Sequence, residues 1–97
     1  ALVAKEPVDG IDIPTAAEQG YDVSLTNWRS LSAPSGLEDS EREALTQLVL
    51  DSVATPEWAD AMDRYYWTER IITGDELDTF LRDEETRIRA LYEEMGL

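Results

Sequence analysis

Apolar and polar residues alternate with a period of two from Tyr21, with Tyr21, Val23 and Leu25 on one side and Asp22, Ser24 and Thr26 on the other. This is the pattern of a half-buried strand. At Asn27-Trp28-Arg29 the pattern inverts, and the large indole falls on the formerly polar side. Leu31 and Ala33 restore the odd-side pattern before Ala33-Pro34-Ser35-Gly36 ends it. A strand whose buried face switches midway suits a chain that leaves one packed layer and enters another. The same pattern also describes an edge strand that carries a bulge.

The rest of the chain falls into elements around this stretch. Residues 1–4 have the apolar character of a strand end, and Lys5 to Asp12 form a loop broken by Pro7 and Gly10. Thr15 with Glu18 makes a capping box for a short helix that Gly20 stops. A second helix is expected from Glu38 to Ala54, with an inward stripe of Leu45, Leu48, Val49 and Val53. Thr55-Pro56 caps and opens a third, from Pro56 to Tyr66, burying Trp58, Ala61, Met62 and Tyr65. The β-branched and aromatic run Trp67 to Ile72 predicts a short strand. Thr73 with Glu76 forms another capping box, starting the longest helix, Asp75 to Met95, which Gly96 stops. Its stripe of Leu77, Phe80, Leu81, Ile88, Leu91, Tyr92 and Met95 is broken only by Glu84. The expected order is βαβααβα, an α/β fold.

Charge changes the picture next. The 97 residues carry 22 Asp and Glu against 8 Lys and Arg. Such a balance argues against nucleic acid and against anionic membrane surfaces as partners. Five acids stand four residues before an arginine on a helix: Glu38/Arg42, Asp60/Arg64, Asp78/Arg82, Asp83/Arg87 and Glu85/Arg89. That orientation favours solvated i,i+4 pairs over catalytic roles for the arginines. With no His and no Cys, the commonest general base, the thiol nucleophile and the usual transition-metal ligands are missing. Ser and Thr lack any activating context such as a G-x-S-x-G elbow. Asp9-Gly10-Ile11-Asp12 lacks the ligand spacing of a calcium loop and suits a turn. The expectation is a binding protein, with no catalytic residues, metal or cofactor.

The residues Ile13-Pro14-Thr15, Glu18-Gln19-Gly20-Tyr21, Asn27-Trp28-Arg29-Ser30-Leu31, Ala33-Pro34 and Gly36, and the closing Glu94-Met95-Gly96-Leu97, give the chain its resemblance to a known family. In order and spacing it resembles the C-terminal third of the tripartite tricarboxylate transporter receptors, the TctC or Bug family of extracytoplasmic solute-binding proteins. Ser30 stands where that family usually has Gly, Ser35 where it often has a basic residue, and Leu37-Glu38 where a Thr-Pro helix start is common.

The resemblance implies a C-terminal fragment of a two-lobed type II periplasmic-binding-protein fold. Residues 1–26 would end the second lobe and cross between lobes, and residues 27–97 would return to the first lobe. It implies a receptor for a small carboxylate, a di- or tricarboxylate or an acidic amino acid, in the periplasm or outside the cell, lipid-anchored through a missing N-terminal portion. The implied partners are the solute, the membrane components of the transporter, and the remainder of the parent chain or a second copy. Asn27, Trp28 and Arg29 become candidates for a hinge lining the cleft, and Ala4 and Lys5, at a strand's carboxyl end, weaker ligand-binding candidates. Alternatively, Trp28 packs beneath a neighbouring layer and Arg29 pairs with a carboxylate. A function of another class also fits the composition: a small acidic interaction module that docks on a basic partner and takes no small-molecule ligand.

Overall fold

The structure is a computed structural model that describes all 97 residues. Three helices carry its regular structure: α1, Asp39–Val53; α2, Pro56–Tyr65; and α3, Gly74–Glu94. All three lie within a residue of the expected boundaries, because their ends are written locally. Glu38 donates its backbone N–H to the Glu41 carboxylate at 3.2 Å, closing the start of α1. The Thr55 hydroxyl accepts from the Trp58 N–H at 3.3 Å, and Pro56 supplies a first-turn residue that needs no donor. Tyr66 ends α2 in the left-handed conformation, φ 56°, and its N–H and that of Trp67 return to the carbonyls of Asp63 and Met62. At Gly10, whose φ is +82°, an added Cβ would lie 3.1 Å from the Tyr66 ring. The glycine therefore lets the Val8–Ile11 turn close against the end of α2.

The expected α/β order is not formed, and neither is any sheet of a two-lobed fold. The molecule is helical, with one isolated parallel bridge, Leu2 to Thr15, in place of the strands. The Leu2 N–H donates to Pro14 at 3.0 Å, the Ala16 N–H to Leu2 at 2.6 Å, and the Leu25 N–H to Val3 at 2.8 Å. Three short segments thus lie side by side without becoming a ladder. Residues 21–34 and 67–73 have no regular structure. The physical reason is pairing. A strand needs a neighbouring backbone about 4.8 Å away, whereas Trp28 and Trp67 rest on side chains of the helices. The Thr15–Glu18 box does form, with Thr15 N–H to the carboxylate at 2.8 Å and Glu18 N–H to the hydroxyl at 3.1 Å. It closes a turn rather than a helix, since Gly20, φ +91°, ends the run before a second turn can add bonds.

Packing is thin. Thr15 and Ala16 are the buried residues. On α1 the half-buried positions are Thr46, Val49, Leu50 and Val53, while Leu45 and Leu48, expected to face inward, stay exposed. On α2, Trp58, Ala61 and Met62 are half-buried as expected and Tyr65 is not. The chain measures 47 × 38 × 18 Å, with a radius of gyration of 16.9 Å against about 12–13 Å for a compact domain of this length. Its accessible surface is 8457 Å², about 2,800 Å² more than a compact 11.0 kDa monomer shows. Such a slab is what remains when apolar faces lack a cover.

Most of the expected ion pairs do not form. Glu85–Arg89 is made at 2.8 Å, but Arg42 turns to Asp39 at 3.2 Å and Arg87 to Glu84 at 2.8 Å, both three residues away. Acids therefore outnumber their partners along every helix. Their mutual repulsion should weaken as salt screens it, so the melting temperature is expected to rise from dilute buffer to about 0.5 M salt, where the screening length is ~4 Å. A flat or falling melting temperature would show that the ion pairs dominate instead.

Candidate functional site

The two halves of the chain are joined where the sequence pattern inverts. In an extended segment successive side chains point to opposite faces, and Trp28 and Arg29 use this to reach different elements. Trp28 goes to α3: its ring meets Phe80 edge-on at 5.4 Å and 77°, and its Nε1 donates to the Glu84 Oε2 at 3.1 Å. Arg29 goes the other way and lies 4.9 Å above the ring of Trp67. Trp67 packs edge-on to Trp58 at 6.4 Å and tilted against Tyr65 at 5.8 Å, so Arg29 caps an aromatic cluster at the end of α2. Farther along the same extended stretch, Arg70 lies 4.6 Å above Phe80.

Glu84 explains the interruption in the α3 stripe. Arg87, one turn on, grips it with two hydrogen bonds, Nε to Oε1 at 3.0 Å and Nη2 to Oε2 at 2.8 Å. These, then the Trp28 N–H, hold the Glu84 carboxyl at about 2, below its usual 4.5, with the nearby Arg87 and Arg70 charges adding to the effect. Arg87 is raised by the same bonds. A carboxylate in the middle of an apolar stripe thus serves as the acceptor that an incoming indole needs.

Arg29 and Arg70 differ from Arg42, Arg87 and Arg89. In a chain with 22 acids, Arg29, Arg64, Arg70 and Arg82 all lack a carboxylate within 4 Å, and of these Arg29 and Arg70 lie over aromatic faces, Arg70 near enough to Glu84 to lower its pKa. A stacked guanidinium keeps its N–H edge free and its orientation fixed, the arrangement suited to bidentate capture of a carboxylate. Beside them, the Trp58 Nε1 is shielded from water and has no hydrogen-bond partner. An unmet buried donor of this kind costs about 1–3 kcal/mol.

Two concavities lie elsewhere, on the flank of α3 around Ile88, Arg89 and Tyr92, and between α1 and Gly74. Both are open grooves, and in the first Arg89 is already neutralised by Glu85. The junction is therefore the better candidate site.

Of the residues singled out in the sequence, Trp28 and Arg29 are central here. Asn27 is exposed beside them and makes no hydrogen bond through its side chain. Ala4 is half-buried and Lys5 exposed, in a bend just beyond the Val3–Leu25 hydrogen bond. No hydrogen bond or ion pair carries Lys5 to the junction. Arg70, Trp67, Phe80 and Glu84 join the site only in the fold and are not candidates from the sequence pattern. Glu84 had a signal, as the one acid in an apolar stripe, whereas Arg70 had none. Comparison with known protein families, curated proteins and solved structures finds no match.

The depressed Glu84 fixes the sign of a pH effect. A lowered folded-state value adds stability that is fully present above pH 4.5 and lost as pH falls toward about 2. The stability gap between the native chain and Glu84→Gln, measured by urea unfolding across that range, is expected to close on acidification. A gap that stays constant would mean that the charge of Glu84 adds nothing to the junction.

Proposed function

We propose that the chain forms part of an extracytoplasmic receptor for a small carboxylate, delivering its solute to the membrane components of a tripartite tricarboxylate transporter. The observation that carries the proposal is Arg29, held over the Trp67 ring with no carboxylate within 4 Å in a strongly acidic chain. The resemblance of Asn27-Trp28-Arg29 and its flanking residues to the tricarboxylate receptors supports the same solute class. In this reading Arg29 is the cationic anchor for the solute carboxylate and Trp67 orients it. Trp28 and Glu84 hold the segment that carries Arg29 in place.

The test is calorimetric titration of the polypeptide encoded by the complete gene with dicarboxylates, tricarboxylates and acidic amino acids. Saturable binding to at least one is expected. Arg29→Gln should weaken it at least about tenfold, through loss of a charge-assisted bidentate contact, while Arg64→Gln on the exposed flank of α2 leaves it unchanged. A receptor that ignores the whole panel, or binds equally well without Arg29, overturns the proposal. Capture of a basic protein in place of any solute would favour the acidic interaction module.

A further inference from the structure

The apolar stripe of α3 is covered at its start and bare at its end. Leu77, Leu81, Glu84, Ile88, Leu91 and Met95 recur at steps of four and three residues, the spacing of a seam between two helices that lie along each other. Up to Arg87 the stripe is partly covered: Leu77, Phe80, Glu84 and Arg87 are half-buried, with Trp28 resting on Phe80 and Glu84. Beyond Arg87 every residue is exposed, and Ile88, Leu91, Tyr92 and Met95 are 39%, 44%, 53% and 68% exposed. No other helix lies over them.

We infer that this bare face packs antiparallel against the same face of a second copy of the chain, with the two-fold axis level with the Arg89–Ala90 peptide. The inference is independent of the carboxylate reading. Charge selects both the face and the direction. Gly74 to Glu84 carries five acids and one arginine, whereas Glu85 to Met95 carries three acids and two arginines. A parallel pair would set the acid-rich halves side by side, and an antiparallel pair over residues 85–95 sends them to opposite ends. The helices α1, with four acids and one arginine, and α2, with three and one, offer no such relief.

Register then makes the contact self-complementary. Ile88 stands opposite the second copy's Leu91, and Leu91 opposite its Ile88. In an antiparallel pair each flank of one helix meets the same flank of the other. Arg87 and Glu94 share one flank, so they meet as two reciprocal ion pairs. Glu85 and Tyr92 share the other, so each Tyr92 hydroxyl meets a carboxylate. Arg87 can serve both copies, since its bonds to Glu84 use Nε and Nη2 and leave Nη1 free.

Sedimentation of the whole chain should show a monomer–dimer equilibrium at high micromolar concentration. Leu91→Lys should weaken it at least about tenfold by placing a charge in the seam, while Leu48→Lys, on the exposed face of α1, leaves it intact. Glu94→Arg should weaken it at least about fivefold, because each copy's Arg87 then meets a like charge. Glu93→Arg makes the same change in net charge on the outward side of α3 and should not weaken it. Helical circular dichroism is expected to be unchanged in all four variants. A chain that stays monomeric, equal losses from Glu93→Arg and Glu94→Arg, or a dimer lost to Leu48→Lys and not to Leu91→Lys would each overturn the inference.

Discussion

The hydrogen bond from the Trp28 indole to the Glu84 carboxylate is the contact on which the arrangement of this chain depends. It spans 56 residues of sequence and ties an extended, largely unpaired N-terminal half to the longest helix. It acts beside the Trp28–Phe80 edge contact, Arg29 over Trp67 and the Gly10 turn against Tyr66, and it matters because α3 packs along neither α1 nor α2. Arg87 makes the contact favourable by keeping Glu84 charged in a half-buried position. A charged acceptor forms a stronger bond to an indole N–H than a neutral one does. The Phe80 ring and the Arg70 guanidinium above it then fix the orientation of the indole, so that Arg29, the next residue, is delivered to the other side.

That alternation links packing to chemistry. Trp28 is spent on holding the segment and Arg29 is presented by it, a division that follows from two adjacent residues on an extended backbone. The cation so presented sits among aromatic rings and meets no carboxylate of its own chain, although acids are abundant elsewhere. The acids are carried mainly by the helices and the N-terminal loop, while the segment containing Arg29 is nearly free of them. The same segregation of charge leaves residues 21–36 with one acid, Asp22, and one base, Arg29.

The sequence disclosed what is local and missed what is not. The ends of α1, α2 and α3 were legible because Thr55-Pro56 and Gly96, together with the breaks around Gly36 and Gly74, act within a turn or two. The expected strands do not form because alternation at Tyr21–Leu25 or β-branching at Ile71–Ile72 records an affinity for a pleated surface and cannot supply the neighbouring backbone. The face of α1 was misassigned for a related reason. With Leu45, Leu48, Val49, Leu50 and Val53 all apolar, periodicity alone does not choose between Leu48 and Leu50, and contacts within the fold turn Leu50 inward. At the site, Asn27-Trp28-Arg29 was visible as a break in a pattern. Its partners Phe80, Glu84 and Arg70 lie more than 40 residues away, and of these only Glu84 disturbs a pattern of its own.

The most direct measurement of this account is a double-mutant cycle between Trp28→Phe and Glu84→Gln, by urea unfolding of the dilute chain followed at Trp58 and Trp67. Trp28→Phe keeps an aromatic ring against Phe80 while removing the indole donor, and Glu84→Gln keeps the shape while removing the charge. If the junction works as described, each change alone destabilises the chain and the two together cost clearly less than their sum, since both break the same bond. Strictly additive effects would show that Trp28 and Glu84 act independently, contradicting the claim that their contact joins the two halves of the chain.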